Sequence, residues 1–172
     1  IFGLFLTVVP VHLADEFGLG AGARGVVIAL PAITSTIAAF NLGRISTRLG
    51  VRSLVIGTAS VLAISFATMG MAGTLLLVGL AALLYGASEG ALIPLLQDLA
   101  IEYAPAEQRA AVVAVWVGFA RLGQTLGPIA TGALLGVVGP GAALVLGASG
   151  ALLILLLGVA GPFPRARVHE RS

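Results

Sequence analysis

Two charged residues, Glu89 and Arg121, stand alone inside long apolar stretches, and they are where this sequence can do chemistry. Between Ser53 and Gln97 the only charged side chain is Glu89, and between Ala110 and Pro164 it is Arg121. At a helical rise of about 1.5 Å per residue, Glu89 lies about 21 Å from both ends of its stretch, and Arg121 about 17 Å from the start of its own. Charges at that depth in an apolar medium are costly. Each therefore points to a solute or proton site, or to a buried pair that fixes helix packing. Their segments are consecutive, so antiparallel helices can bring the two into an ion pair, with or without a solute or water between them. Gln124, Tyr85 and Asn41 are further polar side chains that can line the same cavity.

The elements that must hold these groups follow from composition. Of the 172 residues 59% are hydrophobic and 9% charged, where an ordinary soluble domain carries roughly 25% charged residues. No soluble sphere hides so much apolar surface, so the chain is expected to be an all-α integral membrane protein with the lipid bilayer as its solvent. A helix needs about 20 apolar residues to cross the hydrocarbon. Six runs qualify or nearly so: Ile1 to Leu13 (a truncated span), Gly25 to Leu42, Ser53 to Met71, Leu75 to Tyr103, Ala110 to Val138 and Ala142 to Gly161. Residues 162–172 then form a basic tail. Barrel strands alternate apolar and polar residues, whereas these runs are apolar on every side.

Small residues and prolines punctuate the runs. Gly86 and Gly90, Gly123 and Gly127, and Gly132 and Gly136 each sit four apart, a spacing that lets helix backbones approach closely. Pro31, Pro94 and Pro128 each remove a backbone donor in mid-helix, which favours bends.

The nine basic residues are all arginine, and all but the mid-span Arg121 sort by side. Arg44, Arg48, Arg52, Arg109, Arg165, Arg167 and Arg171 fall at one end of the spans; Arg24, with Asp15 and Glu16, falls at the other. The arginine-rich end is expected to be cytoplasmic, which puts the C-terminal tail inside the cell and the protein in the plasma membrane. Nothing in this scatter of arginines makes a nucleic-acid footprint. With no cysteine, thiolate metal sites and cysteine nucleophiles are excluded, and no cofactor or metal is expected. Gly86-Ala87-Ser88-Glu89-Gly90 matches a serine-nucleophile pattern, but it lies within a membrane helix and not on a strand-to-helix elbow. Gly147-Ala148-Ser149-Gly150 lacks a histidine in any later span, since His12 lies toward the arginine-poor end and His169 in the tail. The chain is not expected to be an enzyme.

The segment Gly43-Arg44-Ile45-Ser46-Thr47-Arg48-Leu49-Gly50-Val51-Arg52 resembles the G-x-x-x-D-R-x-G-x-R loop between the second and third helices of each half of major facilitator superfamily transporters. Thr47 stands where the family usually has Asp. Gly86 to Pro94, followed by Asp98, Pro105 and Arg109, resembles the tenth helix and its following loop. Gly123-Gln124-Thr125-Leu126-Gly127-Pro128-Ile129-Ala130-Thr131-Gly132 is similar to the eleventh. The resemblance implies helices seven to twelve of a twelve-helix fold, a six-helix half whose partner is the missing N-terminal half. It also implies alternating access around a midplane site. Gly43, Thr47, Arg48, Gly50, Arg52, Asp98 and Arg109 are the cytoplasmic gate residues on this reading. The glycine-proline pattern is similar to exporters of drugs and metabolites, implying a small-molecule solute exchanged for protons. Proton-coupled uptake, and a half-bundle that does not transport, are the other functions left open.

Overall fold

The computed structural model describes residues 1–161; the arginines of the tail and His169 lie outside them. Its six helices are α1 (Phe2–Phe17), α2 (Ala21–Leu49), α3 (Val51–Met71), α4 (Leu75–Glu102), α5 (Arg109–Val138) and α6 (Pro140–Ala160), and a 3₁₀ turn, Ala106–Gln108, precedes α5. The described residues contain no strand. Five helices, α2 to α6, are long and apolar enough to cross a membrane. At 16 residues, or about 24 Å, α1 is the short one.

Helix ends follow local chemistry more than hydropathy. The second helix outlasts its apolar run and continues through Gly43, Thr47 and Arg48, ending only at Gly50. Gly50 has a φ of 74°, a left-handed backbone that favours glycine. The familiar segment is thus a helical extension with a one-residue joint. Gly139, φ 77°, makes the equivalent joint between α5 and α6, and Pro140 starts α6, where its missing N–H goes unneeded. Thr74 caps α4 by accepting from the Leu77 amide.

Packing has the pattern of two three-helix repeats. The principal neighbours are, in falling order, α3 with α6, α2 with α4, α3 with α4, α1 with α5 and α1 with α6. Exchanging α1, α2 and α3 for α4, α5 and α6 returns the same set. The core lies where α1, α3, α4 and α6 meet, around Phe5, Val8, Phe66, Tyr85 and Leu144, each nearly or wholly sealed. Tyr85 is its centre: its ring stacks on Phe5 at 4.2 Å between centroids and meets Phe66 edge-on at 5.5 Å. By contrast α2 buries three residues and α5 only Thr131. Phe40 on α2 is 86% exposed, as befits a side chain facing lipid or another protein.

Backbones meet most closely at glycine. A Cβ on Gly86 would fall within 2.5 Å of Pro31 and Thr34 of α2, and one on Gly90 within 2.3 Å of the Ser35 carbonyl. On the other side of the pseudo-symmetry, a Cβ on Gly3 of α1 would meet Pro128 of α5 at 2.8 Å. Gly127 lies at that same crossing. Gly123, Gly132 and Gly136 meet nothing within 4 Å, so two of the three four-residue glycine pairs are not packing pairs within this chain. The three mid-helix prolines are accommodated without ending their helices.

Gly90→Ala should therefore destabilise the bundle by about 1–3 kcal/mol, the range for overpacking a tight contact. Gly57→Ala, where the space is open, should be neutral or stabilising by up to about 1 kcal/mol. Thermal unfolding in detergent compares them; equal melting temperatures would contradict the close α2–α4 approach.

Candidate functional site

Glu89 sits in the middle of α4, one turn beyond Tyr85 on the same face. It is partly buried. Its side chain borders two neighbouring spaces. The first is a cleft of about 270 Å³ between α1, α4 and α5, lined by both Glu89 and Gln124 with walls supplied by Phe2, Ile93 and Phe119. The second is a smaller, almost wholly apolar cavity of about 170 Å³, bordered by Leu62, Tyr85, Trp116 and Ile154. Glu89 is the one charged side chain lining either space.

Arg121 does not reach Glu89. Its Nη1 donates to Gln124 Oε1 at 3.0 Å, one turn along the same helix, and the residue is exposed. The direct ion pair allowed by the sequence is replaced by an intermediary, because Gln124 holds Arg121 while also lining the cleft that Glu89 enters. The physical reason is placement: few contacts join α4 to α5, and α5 leans instead on α1. Asn41 lies apart, its amide donating to the Ile37 carbonyl of its own helix at 2.8 Å. Tyr85 borders the apolar cavity, but its hydroxyl is sealed and makes no hydrogen bond of proper geometry, and neither does the Ser88 hydroxyl beside it. Glu89, which borders the cleft, and the sealed hydroxyls of Tyr85 and Ser88 thus gather on one stretch of α4.

At the arginine-rich end the expected gate residues divide. Thr47 turns its hydroxyl back to the Arg44 carbonyl at 2.9 Å, so it makes a local helix contact and not a link to a neighbouring helix. Arg48, Asp98 and Arg109 are exposed and make no hydrogen bond or ion pair with one another. Arg52 does find a partner: Nη2 donates to the Val159 carbonyl in the last turn of α6. A cation on those terminal carbonyls satisfies an orphan acceptor and complements the helix dipole. Arg52 therefore staples the start of α3 to the end of α6.

Several working groups escaped the sequence reading. Thr34 donates to the Leu83 carbonyl of α4 at 2.7 Å, and Thr131 to the Gly127 carbonyl at 2.8 Å. Each lies three residues after a proline, and that repeated P-x-x-T spacing on α2 and α5 was the available signal. His12 is buried in α1 at 3% exposure, which its place near the arginine-poor end does not signal. Among the described residues no three His, Cys, Asp or Glu side chains gather as a metal site.

A six-helix membrane bundle of two pseudo-symmetric triplets, with an isolated acid in a cleft at mid-span, has the architecture of half a secondary transporter. The Major Facilitator Superfamily model matches residues 1–172, and the chain belongs to that family of membrane transporters. Multidrug resistance protein MdtG of Erwinia billingiae (strain Eb661) is 27% identical to it over 129 residues, which make up 75% of this chain. The match spans 31% of that relative's length.

Arg52→Gln should lower the melting temperature by the equivalent of about 0.3–1 kcal/mol, the usual worth of a cation at an exposed helix C-terminus. Unaltered stability, compared in detergent at low salt, would show that the contact with Val159 carries no load.

Proposed function

We propose that the chain is the C-terminal half of a proton-coupled exporter of small organic solutes in the plasma membrane, with its arginine-rich end in the cytoplasm. The observation that carries this reading is the cleft at mid-span that Glu89 and Gln124 share, with no basic side chain among its lining residues. An ionisable group inside a membrane helix, turned toward a cleft that no basic side chain lines, suits reversible proton binding. Family membership and the multidrug-resistance relative support transport, and efflux in particular.

Glu89 carries the proton in this scheme and releases it when solute takes its place. The walls of Phe2, Ile93, Phe119 and, behind Tyr85, Trp116 favour a largely apolar solute. A single carboxylate among aromatic faces favours one bearing positive charge. Gln124 fixes the solute's orientation, and Arg121 holds Gln124. The exposed faces of α2 and α5 receive the N-terminal six-helix half, and the pathway forms between the two halves. Alternating access then follows from rocking of the halves about the cleft.

In the full-length protein, Glu89→Gln should abolish proton-driven flux while expression is retained; normal transport driven by a pH gradient in that variant would sink the proton role. Arg121→Ala should weaken solute binding by about tenfold, since a hydrogen bond to a charged group is worth about 1.5–3 kcal/mol. Equilibrium binding to purified protein measures this. Unchanged affinity would leave Arg121 a packing role only.

A further inference from the structure

We propose that His12 is a second proton-exchange site, serving the arginine-poor end as Glu89 serves the cleft; the proposal rests on the proton-coupled reading of Glu89. His12 is 3% exposed, and neither Nδ1 nor Nε2 has a hydrogen-bond partner among the described residues. A neutral imidazole carries one donor and one acceptor, and in a bilayer there is no solvent to satisfy either. A leucine would fill the same space without leaving two polar atoms unmet. An imidazole in that position has a use when water reaches it, because one ring nitrogen can accept a proton while the other donates one.

Its position suits such exchange. His12 lies five residues before the end of α1 at Phe17, about 7.5 Å of helical rise. The Phe17 ring stands edge-on to it at 6.0 Å. Behind it is the tightest joint of that end, where Gly70 of α3 and Gly141 of α6 cross backbone to backbone, with the imidazole edge beside Gly141. In this proposal α1 parts from the crossing to admit water from the adjacent aqueous end. A proton arriving from the arginine-poor end therefore meets His12 first.

The charged groups at this level are few. On its own helix they are Asp15 and Glu16, both exposed; α2 brings Arg24, whose Nη1 donates to the Pro10 carbonyl of α1 at 3.3 Å. The neighbouring ends of α3, α5 and α6 bring none. In the exchange step the unprotonated ring nitrogen takes a proton from hydronium, leaving water, and the imidazolium then gives that proton to a water that carries it on to the Glu89 carboxylate, forming the neutral acid.

The test uses the full-length transporter in proteoliposomes, with His12→Gln and Glu89→Gln compared for flux driven by a pH gradient and for solute counterflow at equal pH. His12→Gln is expected to cut gradient-driven flux by at least about tenfold, in line with loss of a positioned proton-transfer group, while counterflow persists. Retained driven flux in His12→Gln alongside its loss in Glu89→Gln would overturn the His12 site alone. Retained driven flux in Glu89→Gln would instead overturn the Glu89 reading. Loss of counterflow together with driven flux in His12→Gln would mean a packing role and also overturn the site. A measurement on the unmutated transporter guards against misfolding: diethyl pyrocarbonate should modify His12 during turnover, as located by peptide mass spectrometry, and protection throughout turnover would overturn the proposal.

Discussion

At Gly86 and Gly90 no side chain stands between α4 and α2, and most of the architecture is arranged around that contact. The carbonyls of Pro31 and Ser35 occupy the space where a Cβ would be, so the two helices touch main chain to main chain. Within a bilayer the helices gain little from hydrophobic burial, and association depends on such close packing and on a few hydrogen bonds. Thr34 supplies one of them, donating across the contact to the Leu83 carbonyl. With α2 held this close, the adjoining face of α4, about 100° round the helix, is free to present Tyr85 to Phe5 and Phe66 and to hold Glu89 at the edge of the cleft. The acid's depth and direction are thus fixed by glycines on the same stretch of helix.

The same solution recurs, inverted, in the first half of the chain. α1 crosses α5 at Gly3 and Pro128 as α4 crosses α2 at Gly86 and Pro31. Each proline leaves a carbonyl one turn earlier without its helical donor, and each is followed three residues later by a threonine whose hydroxyl donates to nearby carbonyls. The two versions are not identical, for Thr34 reaches across to α4 whereas Thr131 stays on its own helix. The α2–α4 pair is accordingly the tied one, and the α1–α5 pair, which forms a wall of the cleft, is held by packing alone at this point.

Hydropathy made the helices legible. Runs such as Leu75 to Leu84 admit no strand pattern, and the isolation of Glu89 and Arg121 marked the middle of two spans without any knowledge of packing. What could not be read was direction around each helix axis. Hydrophobic runs with residues of one kind on every side carry no face, so nothing distinguished Gly86, pressed against Pro31, from Gly132, which touches nothing within 4 Å. For the same reason the sequence allowed Arg121 to meet Glu89, while the rotation of α5 gives it to Gln124. The arginine-rich segment after Leu42 looked like a loop because charge ends a membrane span. Yet charge does not end a helix, and the backbone continues to Gly50. His12 was a lone polar residue near an end, and only burial on all sides distinguishes it from a solvated one.

Gly50 has a mechanical consequence. The second and third helices scarcely touch along their sides, so what joins them is this single left-handed residue, and two positions later Arg52 is fastened to the last turn of α6. A three-residue passage, Gly18 to Gly20, links α1 to α2 at the opposite end and can absorb a tilt as slack. The corner at Gly50 has one residue in which to do so. Any change in the tilt of α2 at the arginine-rich end would have to be taken up at that single glycine or passed to α3, whose start is tied to α6 through Arg52.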